Sequence, residues 1–156
     1  MPLALRALGM LELVVDGRPV RLGGPKQRAI LSLLTIEAGR TVPVDRLIDE
    51  VWADAPGGSV RSLQVYVSEL RRLLGDPARI VADAGGYRLS LASDEFDAAR
   101  FEVLARDGAR RLEAEDPAAP RVLADALDLW RGDPYPGVVA PSVEDEARRL
   151  LGRGSA

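Results

Sequence analysis

Over the first 22 residues apolar and polar positions alternate: Leu3-Ala-Leu-Arg-Ala-Leu8, then Leu11, Leu13 and Val15, an Asp16-Gly17 pair, and a return from Arg18 to Leu22. A period of two predicts short strands, and Asp-Gly between apolar alternations is a hairpin signal. From Pro25 the spacing lengthens to that of a helix running to about Ala38. Ile30, Leu33, Leu34 and Ala38 form its buried side, Pro25 its first turn and Gly39 its stop. Arg40 to Val42 reads as a brief strand. Val44, Leu47, Ile48, Val51 and Trp52 then give a second helical stripe, with Trp52 expected in the core. Asp54-Ala-Pro-Gly-Gly58 breaks that helix, and Ser59 is positioned to cap a third.

That third helix, from Ser59 to Leu74, is the most informative segment. A projection at about 100° per residue puts Val60, Leu63, Tyr66, Val67, Leu70, Leu73 and Leu74 on one broad apolar face, expected to pack on a core. The opposite side carries Arg61, Val65, Ser68 and Arg72, flanked by Gln64, Arg71, Ser62 and Glu69. At ~1.5 Å per residue such a helix spans ~24 Å, and its width suits the ~12 Å major groove of DNA. Its outward groups are of the kinds that reach phosphates and base edges. A solvated surface helix is the other reading of the same pattern. Gly75-Asp76-Pro77 ends the helix. Ile80 to Ala82 and Tyr87 to Leu91 follow as β-rich arms around Asp83-Ala84-Gly85-Gly86, a hairpin in the position of a wing. Strands, three helices and a terminal hairpin make the order of a winged helix, with helices two and three as the helix-turn-helix.

Beyond residue 92 the pattern is helical. Asp97, Phe101, Leu104, Ala105, Gly108 and Leu112 form one stripe; Val122, Leu123, Ala126, Leu127 and Trp130 form another, separated near Asp116-Pro117. A helical hairpin follows, in which the small residues Ala105, Gly108 and Ala109 allow close approach, as in tetratricopeptide-like stacking. A further helix begins near Ser142. The predicted class is therefore α+β: a winged helix-turn-helix over residues 1–92, followed by an all-α, tetratricopeptide-like segment over 93–156.

Composition narrows the chemistry. The 156 residues contain no Cys and no His, which removes disulfides, thiolate metal sites, and the commonest general base and metal ligand. The acidic groups Asp45/Asp49/Glu50 and Glu144/Asp145/Glu146 lie in charged helical contexts that a solvated face explains. Gly23-Gly24-Pro25-Lys26 lacks the spacing of a phosphate loop. No catalytic residue, metal or cofactor is called for, and the sequence points away from an enzyme. No apolar run approaches the ~20 residues of a membrane span and the start has no secretory layout, so the expected setting is cytoplasmic, at the nucleoid. The net charge of −3 is unevenly spread. Residues 1–92 carry 12 basic against 10 acidic groups and residues 93–156 carry 9 against 14, or +2 and −5. A mildly basic half joined to an acidic one fits a DNA-binding unit attached to a partner or effector unit.

Four motifs, in order, carry a resemblance: Leu22-Gly-Gly-Pro-Lys-Gln-Arg-Ala29; Val44-Asp-Arg-Leu-Ile48 with Val51-Trp52; Leu63-Gln-Val-Tyr-Val-Ser68 with Leu70-Arg-Arg72; and Gly86-Tyr87. Through them residues 3–91 resemble the OmpR-type winged helix of the Streptomyces antibiotic regulatory protein family of transcription factors. Residues 94–151 extend the resemblance into the bacterial transcriptional activation domain, of which the chain is expected to hold only part. The resemblance implies an activator that binds promoter direct repeats as a dimer and recruits RNA polymerase, for secondary-metabolite genes.

The same resemblance puts Arg61, Ser62, Val65, Ser68 and Glu69 at base- and backbone-facing positions. Gln64 suits an adenine edge and Val65 a thymine methyl, while Arg61 and Arg72, near opposite ends of the helix, suit phosphates. Arg71 and Arg72 have an alternative in local ion pairs with Glu69 or Asp76. Two residues depart from the pattern. Asp83 stands where many relatives carry a minor-groove arginine, and Glu69 stands where a basic residue is frequent, although a carboxylate accepts from cytosine N4. Arg88 is either a replacement wing contact or part of the strand's solvated side. Lys26 and Arg28, with the amides at the entrance of helix one, are candidates for phosphate. Asp54 and Pro56, in the loop between helices two and three, are candidates for a polymerase contact. The competing function is a protein-interaction module, a winged helix that has lost DNA binding.

Overall fold

The computed structural model describes residues 2–53 and 57–154. Asp54 and Pro56, the candidates for a polymerase contact, lie outside the described residues. Strands β1 (Leu3–Arg6), β2 (Glu12–Val15) and β3 (Arg18–Val20) form an antiparallel sheet in sequence order, with Leu5 opposite Leu13 and Leu13 opposite Val20. The β2–β3 turn uses Asp16 and Gly17 at φ 53° and 75°, the double positive φ that Asp-Gly supplies. β1 is shorter than the alternation predicts. The amides of Ala7 and Leu8 leave the ladder and donate to the Asp97 carboxylate, at 2.7 and 3.1 Å.

Helix α1 (Pro25–Ile36) crosses the centre with Ile30, Leu31, Leu33 and Leu34 fully buried. Strand β4 (Thr41–Pro43) leads to α2 (Val44–Val51) and α3 (Val60–Leu74). Strands β5 (Ile80–Asp83) and β6 (Gly86–Leu89) then complete a second antiparallel sheet in the order β4-β6-β5. Its hairpin turns at Ala84 and Gly85, φ 47° and 78°. Gly86 is required by packing: a Cβ there would collide with the Val42 carbonyl of β4.

Helix α4 (Asp97–Glu113) and α5 (Ala119–Leu127) form the expected helical hairpin, antiparallel because Gly108 seats Leu123 near the turn while Phe101 meets Trp130 edge to face, at 5.2 Å, at the far end. The stripes are incompletely buried: Leu112, the last residue of the first, is 60% exposed, and Leu127, within the second, is 53% exposed at the rim of a groove that Arg153 and Gly154 also line. Ala109 is likewise exposed. Helix α6 (Pro141–Gly154) returns to pack on α1 through Val143 and Leu150.

One apolar core joins both halves, from Leu5 and Leu13 through Leu34, Leu63 and Leu70 to Phe101, Tyr135 and Leu150. Polar links reinforce it. Glu50 of α2 accepts from the amide and hydroxyl of Ser142 on α6, at 2.7 and 2.6 Å, and from Arg46 at 3.0 Å. Arg79 pairs bidentately with Glu95 at 2.6 Å for each bond, joining the start of the β5–β6 hairpin to the connection into α4. Buried Thr35 and Tyr135 share a hydrogen bond of 2.8 Å. The base of the winged helix is thereby held against the helical segment, while the outward side of α3 stays open.

Candidate nucleic-acid interface

Local chemistry sets both ends of α3. The Ser59 hydroxyl accepts from the Ser62 amide at 3.1 Å and meets the Ser62 hydroxyl at 3.0 Å, while Gly75 closes the other end in the left-handed conformation at φ 77°. Leu63, Val67, Leu70 and Leu74 are buried against the core. Tyr66 and Leu73 are half-buried. Val60 departs from the prediction. It is 50% exposed, because it opens the first turn, where no described element packs over it; the buried stripe begins one turn later at Leu63.

The opposite face carries Arg61, Gln64, Val65, Ser68 and Arg72, all exposed. Among the described residues none of the polar side chains in this row has a hydrogen-bond or ion-pair partner. Val65 puts an apolar surface, 56% exposed, in their midst. The flanking residues are engaged. Ser62 belongs to the N-terminal cap. Glu69 accepts from the Gln27 side-chain amide at 3.2 Å. Arg71 forms no ion pair with Glu69 or Asp76; its Nε donates to the Ile80 carbonyl at 2.9 Å and its guanidinium lies 5.9 Å from the Tyr87 ring centre. Arg71 therefore braces α3 against the β5–β6 hairpin.

Arg88 on β6 pairs with Asp83 on β5 at 3.2 Å, both partly exposed, so the cation at the hairpin is locally neutralised. Lys26 stands over the Trp52 ring at 5.3 Å and approaches the Val51 carbonyl at 3.5 Å. Trp52 packs against the core as expected but is only half-buried, with Tyr66 at 6.1 Å between ring centres and its remaining surface beneath Lys26. Gly58 is pressed against this ring, and a Cβ there would collide with the indole. Arg28 goes elsewhere: its Nε donates to the Gly23 carbonyl at 2.9 Å, and it lines a groove of about 380 Å³ with Leu13, Val14 and Pro19 beside the first sheet.

The candidate residues thus separate by partner. Arg61, Gln64, Val65, Ser68 and Arg72 form one open row along α3; Lys26, Ser62 and Glu69 line its α1 side; Arg71 and Arg88 belong to its hairpin side; Arg28 lies with the first sheet. The sequence reading did not single out Gln27, a polar residue in a helix whose neighbouring face is buried. Its position within the Leu22 to Ala29 motif is the one signal that marks it. Among the described residues no cluster of three or more metal-ligating side chains occurs, and no helix is long and apolar enough to cross a membrane.

Residues 17–89 match the family described as transcriptional regulatory protein, C terminal, and residues 96–153 match the bacterial transcriptional activator domain. The transcriptional regulatory protein EmbR of Mycobacterium tuberculosis is 42% identical over 132 residues, covering 80% of this chain and 34% of EmbR. The regulatory protein AfsR of Streptomyces coelicolor is 36% identical over 146 residues, 92% of this chain and 15% of AfsR. The regulatory protein DnrI of Streptomyces peucetius is 38% identical over 141 residues, 83% of this chain and 52% of DnrI. The chain therefore spans from about a seventh to about half of these relatives. A solved structure of Mycobacterium tuberculosis EmbR, in complex with a low-affinity phosphopeptide, superimposes with a TM-score of 0.91 at 37% identity, over 98% of this chain and 42% of that one. With an OmpR-type winged helix and an activator-domain segment in this order, the chain belongs to the Streptomyces antibiotic regulatory protein family of transcriptional regulators.

Proposed function

We propose that the chain reads promoter DNA through α3, binding direct repeats as paired subunits and recruiting RNA polymerase as an activator of secondary-metabolite genes. The division of labour is a DNA-reading unit over residues 1–92 and a helical activation unit over 93–156. The observation that carries the reading is the open row on α3: two arginines near its ends, with Gln64, Val65 and Ser68 between them, and among the described residues no polar side chain of the row has a partner. An unpaired guanidinium group reaches a phosphate without giving up a protein partner, whereas an ion-paired one must first break a bond.

In this reading Arg61 and Arg72 hold phosphates on either side of the groove, Gln64 addresses an adenine edge, Val65 a thymine methyl, and Ser68 a base or phosphate between them. Ser62, whose amide is taken by the cap, and Arg71, whose Nη atoms lie beyond its bond to Ile80, contribute from the flanks. Lys26 meets phosphate on the α1 side and Arg88 on the wing side, the latter at the expense of its pairing with Asp83. Arg28 adds to the local field from beside the first sheet. Asp54 and Pro56 are the proposed polymerase contact.

Selection from a random duplex pool, coupled to a salt titration, tests the proposal. The expected result is enrichment of repeats spaced near one helical turn, with affinity falling at a log–log slope of roughly −3 to −4 if ~4 phosphates are neutralised. Substituting both Arg61→Ala and Arg72→Ala should reduce the slope by about 2. A flat salt response, or no binding at low salt, refutes it.

The second reading is a protein-interaction module, and the Asp83–Arg88 pair at the hairpin is the observation in its favour. It predicts that partner binding persists in the double arginine variant and that no DNA sequence is enriched.

A further inference from the structure

Gln27 is 5% exposed on α1, yet it makes two hydrogen bonds that together reach the edge of the open row. Its Oε1 accepts from the Gly23 amide at 2.5 Å, and its Nε2 donates to Glu69 Oε2 at 3.2 Å. Each partner can play one part only: a backbone amide donates and a carboxylate accepts. The side-chain amide therefore has one orientation, because turning it over would set donor against donor at Gly23 and acceptor against acceptor at Glu69. Gly23 makes the arrangement possible, since a Cβ there would lie 2.9 Å from Gln27 Oε1.

Glu69 is half-buried on the α1 side of α3, one helical turn along from Val65. One carboxylate oxygen is tied back to Gln27. Among the described residues the other, Oε1, has no partner. A free glutamate beside a phosphate path would swing and repel; one anchored at a single oxygen presents a fixed acceptor and little else. The only base-edge groups in the major groove that donate to such an acceptor are the amino groups of cytosine N4 and adenine N6, and cytosine N4 is the usual partner of a carboxylate.

We infer that Gln27 is a positioning residue for sequence discrimination: by anchoring Glu69 it fixes an acceptor that selects cytosine at one base pair of each half-site. Gln27 touches no base itself. The inference rests on the DNA-binding reading above and extends it to one position of the operator.

The test is a comparison of the full chain with its Glu69→Gln, Gln27→Met and combined variants in the same duplex selection, with affinities then measured on the enriched site and on a site altered at the single base pair in question. Methionine matches glutamine in length and leaves the packing of α1 nearly filled, and thermal melting of each variant verifies folding. The wild-type chain should prefer cytosine at one position by about tenfold. Glu69→Gln should lose that preference or move it toward adenine, to which glutamine bonds bidentately. Gln27→Met should cut the preference at the same position at least threefold while leaving affinity for random duplex and the salt slope unchanged, and the combined variant should be no worse than Glu69→Gln alone. A Gln27→Met chain that weakens binding equally at every position, or keeps the full cytosine preference, overturns the positioning role. If Gln27→Met does not fold, Glu69→Gln decides: an unchanged cytosine preference overturns the inference. A wild-type chain that enriches no sequence overturns the DNA-binding reading along with it, a result distinct from enrichment that ignores Gln27.

Discussion

The junction at Asp97 offers the sharpest test of how the two halves are held. Its side chain is 8% exposed and receives the amides of Ala7 and Leu8, both in residues with no solvent exposure, while Arg131 stands 3.9 Å away. Asp97→Ala leaves two buried donors without an acceptor, at about 1–3 kcal/mol each. Relief of a buried charge offsets part of that loss, since burial pushes the Asp97 carboxyl above its ordinary range despite the two amides and Arg131. A net cost of about 3 kcal/mol follows, and for a chain of this length it corresponds to a fall in Tm of about 6–12 °C. Asp97→Asn keeps one acceptor and turns its NH2 toward the other amide, so it should cost about half as much. Urea unfolding followed by tryptophan fluorescence measures both, and single-tryptophan versions separate the halves: Trp52 reports from beside α3, Trp130 from the helical hairpin. With a common core, both probes should shift together. Losses within about 0.5 kcal/mol for both variants, or a shift at Trp130 alone, would refute the argument that these two bonds hold the halves as one cooperative unit.

Three more outcomes follow from other contacts. Asp83→Asn releases Arg88 from a partly exposed pair, so stability should change by less than about 0.5 kcal/mol while DNA affinity at low salt rises several-fold and the salt slope steepens by about 1; gel-shift titrations at two salt concentrations measure it, and unchanged affinity refutes the role given to that pair. For Glu50, burial alone would push the carboxyl up, but the bonds from Ser142 and Arg46 outweigh it and hold it below its ordinary 4.5; the bidentate bond from Arg79 does the same for Glu95 against a smaller burial cost. Because both values are depressed on folding, their contribution is fully present above about pH 4.5 and is lost as pH falls through the folded-state values; a Glu50→Gln/Glu95→Gln chain should therefore melt lower at pH 7 and show a flatter decline below pH 4.5. Gly108→Ala drives a methyl into Leu123 in the α4–α5 contact, and even after the gain in helix propensity of roughly 1 kcal/mol the chain should lose about 1 kcal/mol in urea unfolding; a stabilised variant would show that this contact yields.

Much of the architecture was legible because burial leaves a period in the sequence. Leu63, Val67, Leu70 and Leu74 mark the buried side of α3, Ser59 and Gly75 mark its ends, and Asp16-Gly17 and Ala84-Gly85 mark the two hairpins. The same signal failed where an element outruns its neighbours. Val60 and Leu112, at the ends of their stripes, are exposed, and periodicity reports which side of a helix is apolar without saying how far the opposing surface extends. Ala7 and Leu8 failed for another reason. Their alternation is that of a strand, but a carboxylate 90 and 89 residues away takes their amides.

Polar pairing leaves no period at all, and it decides which charges are available to a ligand. Five of the basic residues in the first half have acidic partners: Arg6 with Glu12, Arg40 and Arg46 with Glu37, Arg79 with Glu95, and Arg88 with Asp83. The Glu37 and Glu50 pairs sit where α1 and α2 meet α6, on the side committed to the helical segment. The weak net charge of +2 for residues 1–92 is thus an average over a neutralised flank and an undiluted row on α3. Among the described residues Arg61 and Arg72 stand in that row with no acid bonded to them, and Glu69, the acid on the same helix, is held to the α1 side by Gln27. For a helix meant to meet a polyanion, the arrangement of partners around each arginine sets the local potential, and the total charge of the unit is a poor guide to it.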